Sequence, residues 1–114
     1  MMQCEAVARK SGNIVIIDLK GGMTIAGGIG KLRSQIQDSV TAGHKHILVN
    51  LRELNYLDSA GMGELVGACT TMRNLGGDLR LVSPQDRVRN LLHMTKLASI
   101  FAVFADEPAA LASF

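Results

Sequence analysis

Residues 46–72 read HILVNLRELNYLDSAGMGELVGACTTM and decide the fold of this 114-residue chain. The opening run, 46–51, is almost continuously apolar, which predicts a strand buried on both faces. Further along, apolar side chains recur at helical spacing, namely Met62, Leu65, Val66, Cys69 and Met72. We therefore predict a strand over 46–51, a loop over 52–58 and a helix over about 60–74.

Asp58 and Ser59 lie where the chain enters this helix. Side-chain oxygens at such a position can accept hydrogen bonds from free backbone N–H groups, and the helix dipole favours negative charge. A serine there is exposed and electrostatically suited to carry a phosphate. Ser59 is therefore the candidate functional residue. A capping hydroxyl with no further role is the alternative.

The rest of the chain divides into alternating strands and helices. The turn Ser11-Gly12-Asn13 between the first two strands predicts an antiparallel hairpin, and the later apolar runs are typical of a parallel sheet covered by helices. Ser83 is expected to cap a further helix, with Pro84 at its first position. The remaining elements are strands over 3–9, 14–19, 79–82 and 101–104, and helices over 29–42 and from Asp106 onward.

These elements predict a single α/β domain over residues 1–114. Its sheet is mixed and mostly parallel, with about five strands, and about four helices cover it. The composition, 47% hydrophobic and 19% charged with two prolines, is that of a compact domain. Cys4 and Cys69 are expected to be buried thiols, because one lies in a strand and the other on an apolar helix face.

Charge and hydropathy argue against several classes of partner. The net charge is only +2, without a lysine- or arginine-rich run, and the chain has four aromatic residues (one Tyr and three Phe), so nucleic-acid binding is not expected. No apolar stretch approaches the roughly 20 residues of a membrane span, and the N-terminus lacks the layout of a signal peptide. We expect a soluble, cytoplasmic protein without direct membrane insertion.

Ser59 does not fit a catalytic nucleophile. A hydrolase elbow has glycine two residues before its serine, where this chain has Leu57. A base is also needed, but His44 and His46 precede the strand or begin it, and His93 stands beside an apolar helix position. No catalytic residues are predicted.

The glycines match no phosphate-binding pattern. Ile25 stands where a P-loop requires glycine, and Arg33 stands where the third glycine of a dinucleotide motif belongs. No set of Cys, His, Asp and Glu has the spacing of metal ligands, so neither a metal site nor a cofactor is predicted. The plain interpretation is that Gly27, Gly28 and Gly30 make a tight turn into a helix.

Several small or flexible residues carry weaker expectations. Gly63 and Gly67, four apart on one helix, are expected to allow close approach to the sheet or to a partner. Met62 suits either a partner surface or the core. Met72 and Met94 are expected in core or half-buried positions.

The stretch Asp58–Leu65, DSAGMGEL, preceded by the apolar strand, resembles the signature of STAS domains. These domains are named for sulfate transporters and anti-sigma factor antagonists. Further matches along nearly the whole chain are the glycine turn before the first helix, Gly76-Gly77 before 79–82, and 88–92 leading to 95–97 and Phe101. A free-standing chain of this length is similar to the bacterial anti-sigma factor antagonists.

The resemblance implies a non-enzymatic regulator that works by partner switching. In that family an anti-sigma factor, itself an ATP-dependent serine kinase, phosphorylates the serine that corresponds to Ser59. The unphosphorylated form binds the anti-sigma factor and frees the sigma factor, and a metal-dependent serine phosphatase restores this form. The alternative is a scaffold STAS subunit of a membrane transport or signalling complex, without a phosphorylation cycle. A small-ligand binder is a third possibility.

The resemblance also implies the partner-binding surface. The chain departs from the family pattern at two places. Members often carry Asp where this chain has Thr24, and they often carry Asp-Leu-Ser where residues 50–52 are Asn-Leu-Arg. Both departures remove negative charge near the expected kinase-facing end. The expected partner-binding residues are Thr24, Asp58, Ser59, Ala60, Gly61, Met62 and Gly63.

Overall fold

Five strands form one mixed sheet in the computed structural model, which describes residues 4–25, 27 and 29–114. β1 pairs antiparallel with β2, and β2 to β5 pair parallel with one another in chain order. The predicted mixed, mostly parallel sheet with an N-terminal hairpin is confirmed. The strands are β1 (Cys4–Ser11), β2 (Ile14–Met23), β3 (His46–Leu57), β4 (Asp78–Val82) and β5 (Ala102–Phe104).

Four α-helices cover the sheet: α1 (Lys31–Thr41), α2 (Ser59–Asn74), α3 (Asp86–Met94) and α4 (Glu107–Ala112). A single 3₁₀ turn, Leu97–Ser99, follows α3. The first three helices pack on one face of the sheet around the main core, and α4 covers a smaller cluster on the other face. Neighbouring strand residues such as Ile16 and Ile17 are therefore both fully buried, as expected for a sheet with two covered faces.

The predicted loop over 52–58 is wrong, because β3 continues to Leu57. Its second half pairs with the end of β2, from Lys20 beside Glu53 to Met23 beside Leu57. Two register shifts in this pairing break the alternation of apolar and polar side chains that marks a strand in sequence. As a result, β3 leads into α2 through one residue, Asp58.

The predicted start of α3 is also wrong. The helix begins at Asp86 with Gln85 as its N-cap, two residues later than expected. Ser83 instead adopts a left-handed conformation, with φ of 56°. Its N–H donates to the carbonyl of Phe104 at 2.9 Å and its hydroxyl to that of Ala105 at 3.0 Å. These bonds hold Ser83 against the end of β5, so it cannot cap the helix.

The predicted end of the second strand at 19 is wrong, because β2 continues through Gly21 and Gly22 to Met23, where it pairs with the second half of β3. The remaining boundaries differ by one or two residues. α1 begins at Lys31 rather than at 29, because Gly30 before it is left-handed, with φ of 95°. The first strand reaches Ser11 and the last begins at Ala102. Residue 3 of the predicted first strand, and Gly28 of the predicted tight turn, lie outside the described residues.

Burial confirms the thiol prediction and corrects others. Cys4 and Cys69 are buried free thiols, and burial raises the pKa of both. Met72 is fully buried, but Met94 is 80% exposed at the end of α3, against expectation. In the described part of the chain, every helix is too short or too polar to cross a membrane.

Arg9 joins the N-terminal hairpin to the C-terminal helix. Its guanidinium donates to Asp18 at 2.7 and 3.1 Å and to Glu107 at 2.5 and 3.2 Å. The amide of Asn50 also donates to Asp18, at 2.8 Å. Partial burial on its own would raise the pKa of Asp18, but the hydrogen bonds from Arg9 and Asn50 outweigh it. The pKa of Asp18 therefore lies below its usual value.

We expect Arg9→Met to lower the free energy of unfolding by about 1 kcal/mol at pH 7, since ion pairs of half-exposed side chains contribute little. Because folding lowers the pKa of Asp18, its contribution is complete above about pH 4 and is lost as the pH falls through the folded-state pKa. Urea unfolding at pH 7 and at about pH 2.5 should therefore show the difference between the two proteins shrinking in acid. An equal difference at both pH values would contradict this assignment.

Candidate functional site

The candidate site lies at the junction of β3 and α2. Asp58 is the N-cap of α2, in an extended conformation with φ of −96° and ψ of −170°. Its Oδ1 accepts the N–H of Gly61 at 2.9 Å, and its carbonyl accepts the N–H of Met62 at 2.9 Å. Asp58 therefore starts the helix, and the alternative in which the Ser59 hydroxyl is the cap is wrong.

The same carboxylate also holds the segment that follows β2. Asp58 Oδ2 accepts the N–H of Ile25 at 3.0 Å, and the N–H of Asp58 donates to the carbonyl of Met23 at 3.4 Å. Hydrogen bonds from the N–H groups of Ile25 and Gly61 lower the pKa of Asp58. These hydrogen bonds favour the charged form of the carboxylate, which ties two elements together.

Gly61 lets the first turn of α2 lie directly against the end of β2. A Cβ atom at this position would lie 2.1 Å from the carbonyl oxygen of Met23 and 3.0 Å from Cβ of Leu57. Both neighbours belong to strands, so neither can move aside cheaply. The sequence placed Gly61 on the partner surface, whereas the structure shows it buried with a packing role.

Ser59 is the first residue of α2, and its side chain is exposed. Within the described part of the chain, its hydroxyl makes no hydrogen bond to another residue. The backbone N–H groups of this first turn lie at the positive end of the helix dipole. The hydroxyl is therefore accessible from solvent, at a position where the helix dipole favours negative charge.

The structure brings the predicted partner-binding residues together at one end of the molecule. Thr24 is half-buried and closes a tight turn, with its N–H and hydroxyl donating to the carbonyl of Gly27 at 3.0 and 3.2 Å. Ala60 is half-buried and Gly63 is exposed, but Gly61 and Met62 are buried. Direct contact is thus available mainly to the exposed side chain of Ser59, to the half-buried side chains of Thr24, Asp58 and Ala60, and to the backbone of Gly63.

The two departures from the family pattern have structural partners. The amide of Asn50 donates to Asp18, where an aspartate would place a second carboxylate beside the first. Its Oδ1 accepts the N–H of Arg52 at 3.1 Å. Thr24 uses its hydroxyl to close its own turn. Both residues therefore stabilise the chain locally.

Apolar surface beside Ser59 was missed by the sequence analysis. Ile25 is 79% exposed, immediately next to the Asp58 carboxylate that binds its N–H. A groove of about 580 Å³ lies on one side of Ser59, between α2 and the end of α3. Its largest apolar lining residues are Tyr56, Met62, Val66, Leu91 and Leu97. The only feature of the sequence that could have indicated an exposed Ile25 is its place as an isolated apolar residue in a glycine-rich segment.

The histidines lie away from Ser59. His46 begins β3 at the end opposite Ser59, His44 precedes that strand, and His93 is exposed on α3. Across residues 4–25, 27 and 29–114, no group of three His, Cys, Asp or Glu side chains is placed to hold a metal ion. The site therefore consists of the exposed hydroxyl of Ser59, with apolar surface nearby at Ile25 and in the groove between α2 and α3.

Comparison with known proteins identifies a family and several relatives of this chain. The model of the STAS domain family matches residues 5–110. The chain is 27% identical over 81 residues to the anti-sigma F factor antagonist of Paenibacillus polymyxa, a match that covers 70% of this chain and 69% of that relative.

Two solved structures share the fold. An anti-sigma factor antagonist from Mycobacterium paratuberculosis superposes with a TM-score of 0.86 at 15% identity, covering 97% of this chain and 93% of that one. The Bacillus cell fate determinant SpoIIAA in its phosphorylated form gives a TM-score of 0.69 at 22% identity, covering 99% and 98%. At these identities the two matches show the fold alone.

We expect Gly61→Ala to lower the free energy of unfolding by about 3 kcal/mol, because the added methyl group collides with the backbone of β2. Gly63→Ala is the matched control in the same helical turn. Among residues 4–25, 27 and 29–114, no atom lies within 4 Å of a Cβ atom there, so Gly63→Ala should raise stability by about 0.5–1 kcal/mol. Urea unfolding of both variants measures the contrast, and similar effects at the two positions would refute the packing role.

Proposed function

The chain belongs to the STAS domain family, and on that premise we propose that it is an anti-sigma factor antagonist switched by phosphorylation of Ser59. In its unphosphorylated form it binds an anti-sigma factor that is an ATP-dependent serine kinase, and this binding frees the sigma factor. The observation that carries the proposal is the exposed hydroxyl of Ser59 at the start of α2, beside apolar surface and without a hydrogen-bond partner among the described residues.

The chain itself is not an enzyme in this proposal. Ser59 Oγ attacks the γ-phosphorus of ATP held by the kinase, ADP leaves, and the hydroxyl proton passes to a base of the kinase. A serine phosphatase later transfers the phosphoryl group to water and restores the hydroxyl. We place these events in the cytoplasm, where ATP and the sigma factor are found.

The fold is expected to tolerate the phosphate. A phosphoserine carries about −1.5 to −2 charges at pH 7, and the positive end of a helix dipole favours such a charge. Ser59 is exposed, so the phosphate keeps its hydration in the free protein. Both carboxylate oxygens of Asp58 already accept backbone N–H groups, which stabilises its negative charge next to the phosphate in the free protein.

The complex with the anti-sigma factor is expected not to tolerate a phosphate on Ser59. A partner that covers Ser59 would also cover Ile25 and the groove beside α2, both largely apolar. A phosphate at the centre of such a contact must lose its water without gaining a compensating partner, and it lies beside the charge of Asp58. A loss of about 3 kcal/mol weakens binding more than a hundredfold, which is sufficient for a switch.

We expect Ser59→Ala to bind the anti-sigma factor kinase of the same cell constitutively, whereas Ser59→Asp folds but does not bind. Thr70→Asp is the matched control, because Thr70 is exposed on the same helix and lies outside the groove. Isothermal titration calorimetry measures binding, and circular dichroism measures folding. Equal affinities of the Ala and Asp variants at position 59 would rule out the switch.

Mass spectrometry after incubation with this kinase and ATP separates the proposal from its alternative. A single phosphate on Ser59, lost on treatment with the phosphatase, supports the switch. Stable co-purification with a membrane transport complex and no phosphate on Ser59 would instead support a scaffold subunit.

A further inference from the structure

A second cavity, of about 490 Å³, lies between α1 and α2 on the other side of the site. Gly63 and Gly67, one helical turn apart on α2, form part of its lining, opposite Ile29 and Ile36. A Cβ atom at either glycine would meet none of the described atoms within 4 Å. The expected close approach of these glycines to the sheet is therefore wrong, since they border open space.

The two glycines weaken α2 without serving its packing. Glycine inside a helix costs conformational entropy relative to alanine, and no neighbouring atom requires its small size at either position. Their effect on the free protein is to keep the α1–α2 cavity open. An occupant of the cavity would supply the contacts that these residues lack.

Glu64 points to the chemistry of that occupant. Its side chain lines the cavity and is only 7% exposed. Oε1 accepts the N–H of Gly30 at 2.5 Å, whereas Oε2 has no hydrogen-bond partner among the described residues. A buried carboxylate oxygen without a donor is unfavourable, and the terminal torsion of glutamate is soft enough to turn this oxygen toward the cavity.

The charges around Glu64 leave its carboxylate available. Arg33 also lines the cavity, but it is exposed and makes no ion pair with Glu64 within the described structure. Lys31, which follows Gly30, is likewise exposed. Solvent screens both cations, whereas the buried carboxylate is screened much less. A donor that enters between the helices therefore meets a largely uncompensated acceptor.

We propose that the α1–α2 cavity binds a small aliphatic amine, whose ammonium group donates to Glu64 while its hydrocarbon part covers Gly63 and Gly67. The cavity lies within the size range of small-molecule sites. Ile29, Ile36 and the two glycines supply apolar lining beside the buried carboxylate of Glu64, and the exposed residues Arg33, Gln37 and Thr71 are also part of the lining. This inference does not rest on the phosphorylation switch. Gly63 borders both this cavity and the groove beside α3, so an occupant would lie next to the proposed partner surface.

Titration of the full chain with n-hexylamine, followed by amide NMR shifts, tests the proposal. We expect shifts concentrated in the facing residues of α1 and α2, and at least tenfold weaker binding of n-hexanol, which lacks the charge. Equal binding of the two probes, or no shifts in these helices at millimolar hexylamine, would overturn it.

Two variants and one control locate the binding site. Gly67→Leu extends a side chain into the cavity from a position where an added Cβ atom meets none of the described atoms within 4 Å, and it should weaken hexylamine binding at least tenfold. Thr70→Leu, on the outer surface of the same helix, should leave hexylamine binding unchanged. Glu64→Gln still accepts the N–H of Gly30 but removes the charge, so hexylamine should bind it no better than hexanol does. Unchanged hexylamine binding by Gly67→Leu would place the ligand elsewhere.

Discussion

The carboxylate of Asp58 is the interaction on which the rest of the site depends. One oxygen caps α2 through Gly61, and the other holds Ile25 after β2. The two bonds fix the start of the helix relative to the end of the sheet, and Gly61 allows the necessary closeness. Ser59 is exposed because its neighbour has taken over the capping role that a serine often fills.

The fold was largely predictable, because β-branched and leucine runs separated by glycine turns specify buried parallel strands and covering helices. The length of β3 was not predictable, since register shifts beside Lys20 and Gly22 remove the regular alternation that identifies a strand. The start of α3 was missed because Ser83-Pro84 has a capping sequence, but contacts with β5 hold Ser83 in another conformation. Such long-range contacts leave no local pattern.

For the candidate site, the sequence located Ser59 and Asp58, since their position at a helix start follows from periodicity alone. It did not indicate the exposure of Ile25 or Met94, because an apolar residue carries the same local pattern in the core and on a surface. No pattern in the sequence distinguished Glu64 from an ordinary charged residue of the stretch Asp58–Leu65. Only the packing of α1 against α2 shows that Glu64 is buried, with one oxygen that has no hydrogen-bond partner in the described part of the chain.

The most direct test compares the unphosphorylated protein with the same protein phosphorylated at Ser59, using calorimetry against the anti-sigma factor kinase held in one nucleotide state. The account predicts at least a hundredfold weaker binding after phosphorylation, about 3 kcal/mol. It also predicts unchanged amide NMR shifts outside the start of α2 and the segment around Ile25. Equal affinities of the two forms, or a loss of folded structure on phosphorylation, would contradict it.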